Sequence, residues 1–193
     1  MRLLLLACLA LLAGCASNPA RERAADTLIL ISIDGFRADF LQRGQTPVLA
    51  SLAREGVRAE SLRPAFPTLT FPNHYTLVTG LYPDHHGIIN NRMTDPATGK
   101  RFVYKERESA SDPAWWGGEP IWAGAERQGV RTATMFWPGS DVEIAGTRPG
   151  HWLPFDAAMT PSERVDQLLR WLDLPLADRP RFLTLYFEQV DHA

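Results

Sequence analysis

The sequence predicts a doubly wound α/β domain with a mostly parallel sheet flanked by helices. Short runs made almost wholly of apolar residues, Thr27–Asp34 and Arg181–Asp191 among them, read as strands inside a parallel sheet. Capped or amphipathic helical stretches lie between such runs. The two kinds alternate along the chain, with no internal repeat and no second linker.

The elements follow in order. "TLILISID" (27–34) is the first strand, expected to be buried on both faces. "TPVLASLAREGV" (46–57) reads as a helix, with Thr46 as cap, Pro47 at the first position and Gly56 at the end. "VRAESL" (57–62) reads as a short strand. "FPNHYTLVTG" (71–80) is a short helix closed by Gly80, with Thr70 and Asn73 both able to cap it. "NNRMTDPATGKRFVY" (90–104) carries Asp-Pro and Thr-Gly turn signals and predicts a hairpin. A helix is expected from near Pro120 to Gly129, then a strand in "VRTATMFW" (130–137). "TPSERVDQLLRWLDL" (160–174) is the clearest helix. Thr160 and Glu163 make a capping box, and Val165, Leu168, Leu169 and Leu172 form the expected apolar face. The last strand, "RFLTLYFEQVD", is expected to end at Asp191.

The chain has 193 residues, 45% hydrophobic and 22% charged, with net charge -2, which suits one globular domain. Lysines and arginines do not cluster, so binding to a nucleic-acid duplex is not expected. Residues 1–15 have a basic start, a short apolar run and small residues before Cys15, the pattern of an export signal. "LLAGC" resembles the lipobox of bacterial lipoproteins. That resemblance implies lipidation of Cys15, a membrane anchor, and an exported protein of the Gram-negative periplasm or outer membrane. Residues 16–26 then form a polar tether and 27–193 the domain. With Cys8 removed in the leader and Cys15 modified, the domain has no disulfide.

Candidate chemistry sits at element ends. Asp34 closes the first apolar strand, where a carboxylate must be paired, hydrogen-bonded or bound to a cation, or else make an Asx turn. Thr70 stands at a helix start, where N–H groups and the dipole favour phosphate; a plain helix cap is the alternative. Asn90 and Asn91 precede the hairpin, and an amide can donate to a developing oxyanion or simply make a turn. Asp191 and His192 end the last strand with donors suited to a zinc-like cation. His74, His85 and His86 read as structural, and His151 carries no signal. Two strand-end acids and a helix-start threonine together are the ingredients of a two-metal phosphoryl-transfer site.

Four ordered stretches, "LISIDGFRADFL", "PTLTFPNHYTLVTGLYPDHHGIINNRM", "FWPGSDVEI" and "RPRFLTLYFEQVDH", resemble the nucleotide pyrophosphatase/phosphodiesterase family of the alkaline phosphatase superfamily. The resemblance runs from about Thr27 to the chain end. It implies an alkaline-phosphatase-like α/β fold, here its N-terminal portion only, truncated before further metal ligands. It also implies two zinc ions and a nucleotide or other phosphodiester substrate. By motif, Asp34 and Thr70 would bind one zinc, Asp191 the other, and Thr70 would be the nucleophile. Asn91 and the Phe71 N–H would bind a phosphate oxygen. Phe71 and Phe155 would flank the substrate. The ligands present leave both zincs open, so residues 1–193 alone are expected to be inactive. The alternatives are another hydrolase of the superfamily, a phosphomonoesterase or lysophospholipid phosphodiesterase, or a non-catalytic cell-surface binding module.

Overall fold

The structure, a computed structural model, describes residues 26–192. Four strands form one parallel sheet: β1 (Leu28–Ile33), β4 (Thr132–Met135), β5 (His151–Leu153) and β6 (Phe182–Phe187), in the order β1-β6-β4-β5. Strands β2 (Arg92–Thr94) and β3 (Arg101–Val103) make the antiparallel hairpin the turn signals predict.

The sheet is covered on both faces around β4 and β6. Leu183, Leu185, Ala133 and Met135 pack under helix α6 (Pro161–Leu172) through Leu168 and Trp171. Phe182 faces the other way, onto α2 (Thr70–Thr79) and α5 (Ile121–Arg127), with Tyr75, Val78, Trp122 and Trp137. Short helices α3 (Pro83–His86) and α4 (Arg107–Ala110) and the hairpin close that second layer. Alternation along β6 thus feeds two cores, as a doubly wound sheet requires.

Several expectations are corrected. Strand β1 lies at the sheet edge, and Leu28 and Ile31 are 59% and 55% exposed, so it is not buried on both faces. Helix α1 (Pro47–Glu55) starts and stops at Pro47 and Gly56 as read, but the Thr46 hydroxyl makes no cap bond. Residues 57–62 form no strand. Strand β6 ends at Phe187, and Asp191 sits in the turn beyond. Helix α6 has its capping box, but its buried face is Arg164, Leu168 and Trp171, while Val165 and Leu169 are 41% and 49% exposed.

Candidate active site

The carboxyl ends of β1 and β6 lie side by side, with Ile33 in register with Phe187. The Asp34 N–H continues the ladder by donating to the Phe187 carbonyl at 2.8 Å. Its carboxylate then leaves the sheet. Oδ1 accepts from the Gly35 N–H at 3.1 Å. Oδ2 accepts two hydroxyls, from Thr70 and from Tyr186, each at 3.0 Å. Burial raises the Tyr186 phenol pKa, and the Asp34 charge raises it further, so Tyr186 is a standing donor at neutral pH.

Thr70 is not the cap of α2 but its first residue; Leu69 is the cap position and brings no side-chain bond. Four N–H groups at a helix start have no partner within the helix. Here the Leu69 N–H donates to the Pro67 carbonyl at 2.8 Å, the Phe71 N–H donates to Asn91 Oδ1 at 3.0 Å, and Pro72 has none. The Phe71 N–H, expected to meet a phosphate oxygen, is thus taken by Asn91, and the Thr70 N–H is the one tip donor with no hydrogen-bond partner among the described residues. The bond from Phe71 also orients Asn91, leaving its Nδ2 as the end able to donate. Asn73 does not cap either. It ties the preceding loop, accepting from the Ala65 N–H and donating to the Pro67 and Leu69 carbonyls.

Beneath Thr70 lies His74, buried between Tyr186 and Trp137 with its ring edge-on to both. Its Nδ1 is 2.8 Å from the Thr70 carbonyl oxygen and its Nε2 is 2.8 Å from Ser32 Oγ. Burial lowers the imidazole pKa. A neutral ring must then donate from Nδ1, because a carbonyl only accepts, and receive the Ser32 hydroxyl at Nε2. Strand β1 and helix α2 are thereby braced together two residues from Asp34.

Asp191 is exposed in the turn after β6, its N–H donating to the Glu188 carbonyl at 3.0 Å. Its backbone lies against Gly35: a Cβ on that glycine would come 2.8 Å from Asp191 Cα. Asp34, Thr70, Asn91 and Asp191 are therefore brought to one sheet edge. Phe71 is half-buried among Phe102, Tyr104 and Trp116. Phe155 is not brought into this group; its partners are Phe136, at 5.4 Å between centroids, and Arg164. Cys15 lies outside the described residues.

Asp34 and Asp191 with the Thr70 hydroxyl offer oxygen donors that suit a divalent cation. Structural and catalytic zinc sites take three or four protein ligands, mostly nitrogen, sulfur or carboxylate. Among the described residues no group of three or more His, Cys, Asp or Glu converges, so these donors fit part of such a site and do not close one. Sequence reasoning missed Tyr186, whose signal was available: a tyrosine inside an apolar strand needs a partner for its hydroxyl. It also missed the buried pair Arg164 and Glu188.

Residues 28–193 match the family described as type I phosphodiesterase / nucleotide pyrophosphatase. An uncharacterized pyrophosphatase/phosphodiesterase of Schizosaccharomyces pombe is 54% identical over 86% of this chain and 34% of its own length. Ectonucleotide pyrophosphatase/phosphodiesterase family member 3 of Bos taurus is 51% identical over 85% of this chain and 19% of its own. The solved structure of murine ectonucleotide pyrophosphatase/phosphodiesterase 5 superposes with TM-score 0.80 and 34% identity, over 86% of this chain and 44% of that one. An inactive threonine-to-alanine variant of the same murine protein, in complex with AMP, superposes with TM-score 0.81. The chain thus spans about a third or less of these curated relatives. They are eukaryotic, which overturns the expectation of a Gram-negative periplasmic or outer-membrane lipoprotein; that expectation rested on the leader residues alone. Among the described residues no helix is long and apolar enough to cross a membrane.

Proposed function

Because the chain belongs to the type I phosphodiesterase / nucleotide pyrophosphatase family, we propose that it carries the nucleophile-bearing part of a hydrolase. The substrates are phosphodiester or pyrophosphate bonds of nucleotide-type molecules. The observation that carries this reading is the Thr70 hydroxyl, at a helix start whose own N–H lacks a partner, hydrogen-bonded at 3.0 Å to a strand-end carboxylate. The AMP complex of the murine relative's inactive threonine-to-alanine variant supports a nucleotide ligand.

Thr70 Oγ attacks phosphorus as its proton passes to the Asp34 carboxylate that accepts it, and the same proton returns to Oγ when the ester is cleaved. The P–O bond to the leaving group breaks, and the departing oxygen takes the bonding pair. A phospho-threonine ester results, and water then cleaves it, returning the hydroxyl and releasing a phosphate monoester. Asp34 fixes the Thr70 side chain, and Tyr186 and Gly35 fix Asp34. Asn91 Nδ2 and the Thr70 N–H donate to non-bridging phosphate oxygens. Phe71 lines the substrate's path. Asp34 and Thr70 would hold one zinc and Asp191 a second. Bound there, the metals would polarise the hydroxyl and neutralise phosphoryl charge. With this donor set left open, residues 1–193 alone do not turn substrate over.

The test is Thr70→Ala in the protein expressed from its complete reading frame. Hydrolysis of a nucleotide phosphodiester falls by at least about 10³-fold while bound zinc is retained. Turnover at the unmodified rate would remove Thr70 from the chemistry.

A further inference from the structure

Arg164 is wholly buried on α6, where the sequence pattern puts a polar face. Its guanidinium uses every arm. Nε donates to the Met159 carbonyl at 3.1 Å and Nη1 to the Tyr186 carbonyl at 3.1 Å. Nη1 and Nη2 then grip Glu188 in a two-pronged pair at 2.5 and 2.8 Å. Three aromatic rings from the sheet's carboxyl end surround it, with centroids 4.8 Å (Phe136), 5.9 Å (Phe187) and 6.0 Å (Phe155) from the guanidinium carbon.

The residues it grips lie between the sheet and the site. The β1–β6 register runs out at Phe187, and beyond it, among the described residues, the backbone has only the turn bond from the Asp191 N–H to the Glu188 carbonyl. Arg164 holds the chain on both sides of Phe187, at the Tyr186 carbonyl and at the Glu188 carboxylate. Tyr186 is also the residue whose hydroxyl meets Asp34. Buried ion pairs stabilise weakly, and apolar pairs of similar volume often serve as well. Leu168 and Trp171 already anchor the same helix face. Stability alone does not call for a two-pronged pair at this point.

We propose that Arg164 is a positioning residue: through Glu188 it sets where the turn carrying Asp191 stands against Gly35 and Asp34. This rests on the reading of Thr70 and Asp191 as parts of one hydrolytic site. Its action is indirect, and it touches neither substrate nor the reacting atoms.

The experiment uses the protein from its complete reading frame, with thermal melts, zinc affinity by competition with a chromophoric chelator, and turnover of a nucleotide phosphodiester. The double variant Arg164→Met/Glu188→Met keeps an apolar pair in the same volume. It is expected to melt near the unmodified protein, to bind zinc about 10- to 100-fold more weakly, and to lose turnover at least in proportion. Arg164→Lys, which keeps charge without the fork, falls between. A folded double variant with unmodified zinc affinity and turnover overturns the proposal, since the pair would then serve only the fold. If the double variant does not fold, Glu188→Gln decides: weakened zinc binding supports the proposal and unchanged binding overturns it. Thr70→Ala is run in parallel. Full turnover there sinks the hydrolytic reading, while the zinc measurement still reports on Arg164. An unmodified protein that binds no zinc ends both.

Discussion

Gly35→Ala probes the closest approach in the site. Gly35 has φ +71°, and a Cβ there would stand 2.8 Å from Asp191 Cα, 2.9 Å from its nitrogen and 3.2 Å from the Val190 carbonyl carbon. Carbon atoms sit comfortably at about 3.5 Å or more, so the Asp191 turn must retreat by roughly 0.7 Å. Both sides of the contact are backbone, so no flexible side chain can absorb the shift. The left-handed backbone costs a non-glycine about 1 kcal/mol, and overpacking adds about 1–3 kcal/mol. At about 2–4 °C per kcal/mol for a chain of this size, the melting point falls by roughly 4–16 °C. A displacement approaching 1 Å costs up to about 10²-fold in rate, so turnover should drop by about 10- to 100-fold. Gly44→Ala is the matched control. Gly44 has φ +74° with nothing within 4 Å of its added carbon, so it carries the backbone cost without the collision. Both variants would be made in the protein from its complete reading frame and assayed by thermal melt and by hydrolysis of a nucleotide phosphodiester. If Gly35→Ala matches Gly44→Ala in turnover, the position of Asp191 against Asp34 does not matter to the reaction, and the geometric argument for the site fails.

Two further expectations concern single groups. Asn91→Ala and Asn91→Asp should each lower kcat by about 10²- to 10³-fold with little change in melting point; a carboxylate still accepts from the Phe71 N–H but cannot donate to phosphate, so near-normal turnover in Asn91→Asp would assign Asn91 to helix capping alone. His86 is fully buried with Nδ1 accepting from the Ile88 N–H and Nε2 3.0 Å from Thr76 Oγ1, and burial holds its pKa below the ordinary value. The unfolded chain then binds the extra proton first, so the stability His86 contributes is present above about pH 6.5 and is lost as pH falls through the lower folded pKa. Denaturant midpoints measured on descending pH should show this fall, and His86→Gln should flatten it; an unchanged slope would contradict the burial argument.

What the sequence disclosed was local chemistry. The capping box of Thr160 and Glu163, the Asp-Pro and Thr-Gly turns of the hairpin and the Gly80 stop are each written within a few residues, and each is found in place. What it hid depends on partners far along the chain. The apolar run of β1 reads the same whether one face or both are covered, so its position at the sheet edge was not legible. The wheel of α6 was misassigned because Arg164 looks like a solvent residue until Glu188, 24 residues on, supplies its counter-charge. Strand β5 was missed because three residues, His151–Leu153, carry no period of their own and become a strand only against β4. Among site residues, Asp34, Thr70 and Asp191 were named from their places at element ends and Asn91, over Asn90, from the family motif, and the structure brings the four to one edge. Phe155 rested on loop alignment, and the fold gives it to the Arg164 cluster instead.

Helices α2 and α6 show that this chain can cap a helix when nothing competes. At α6, Thr160 accepts the Glu163 N–H, Glu163 accepts the Thr160 N–H, and Pro161 follows. At α2 a threonine of the same type stands one residue too late to cap, with its hydroxyl turned to Asp34. A threonine or serine at position 69 would cap α2 for about 1 kcal/mol; leucine is there instead. The cost is kept small by other means, since Pro72 has no N–H and Asn91 takes that of Phe71. One donor remains, the N–H of Thr70 itself, on the residue whose oxygen is held by a carboxylate. An uncapped tip would be a defect in a purely structural helix. Beside an oriented hydroxyl and an amide with its N–H groups still to give, it supports the reading of this tip as the seat proposed for a phosphoryl group.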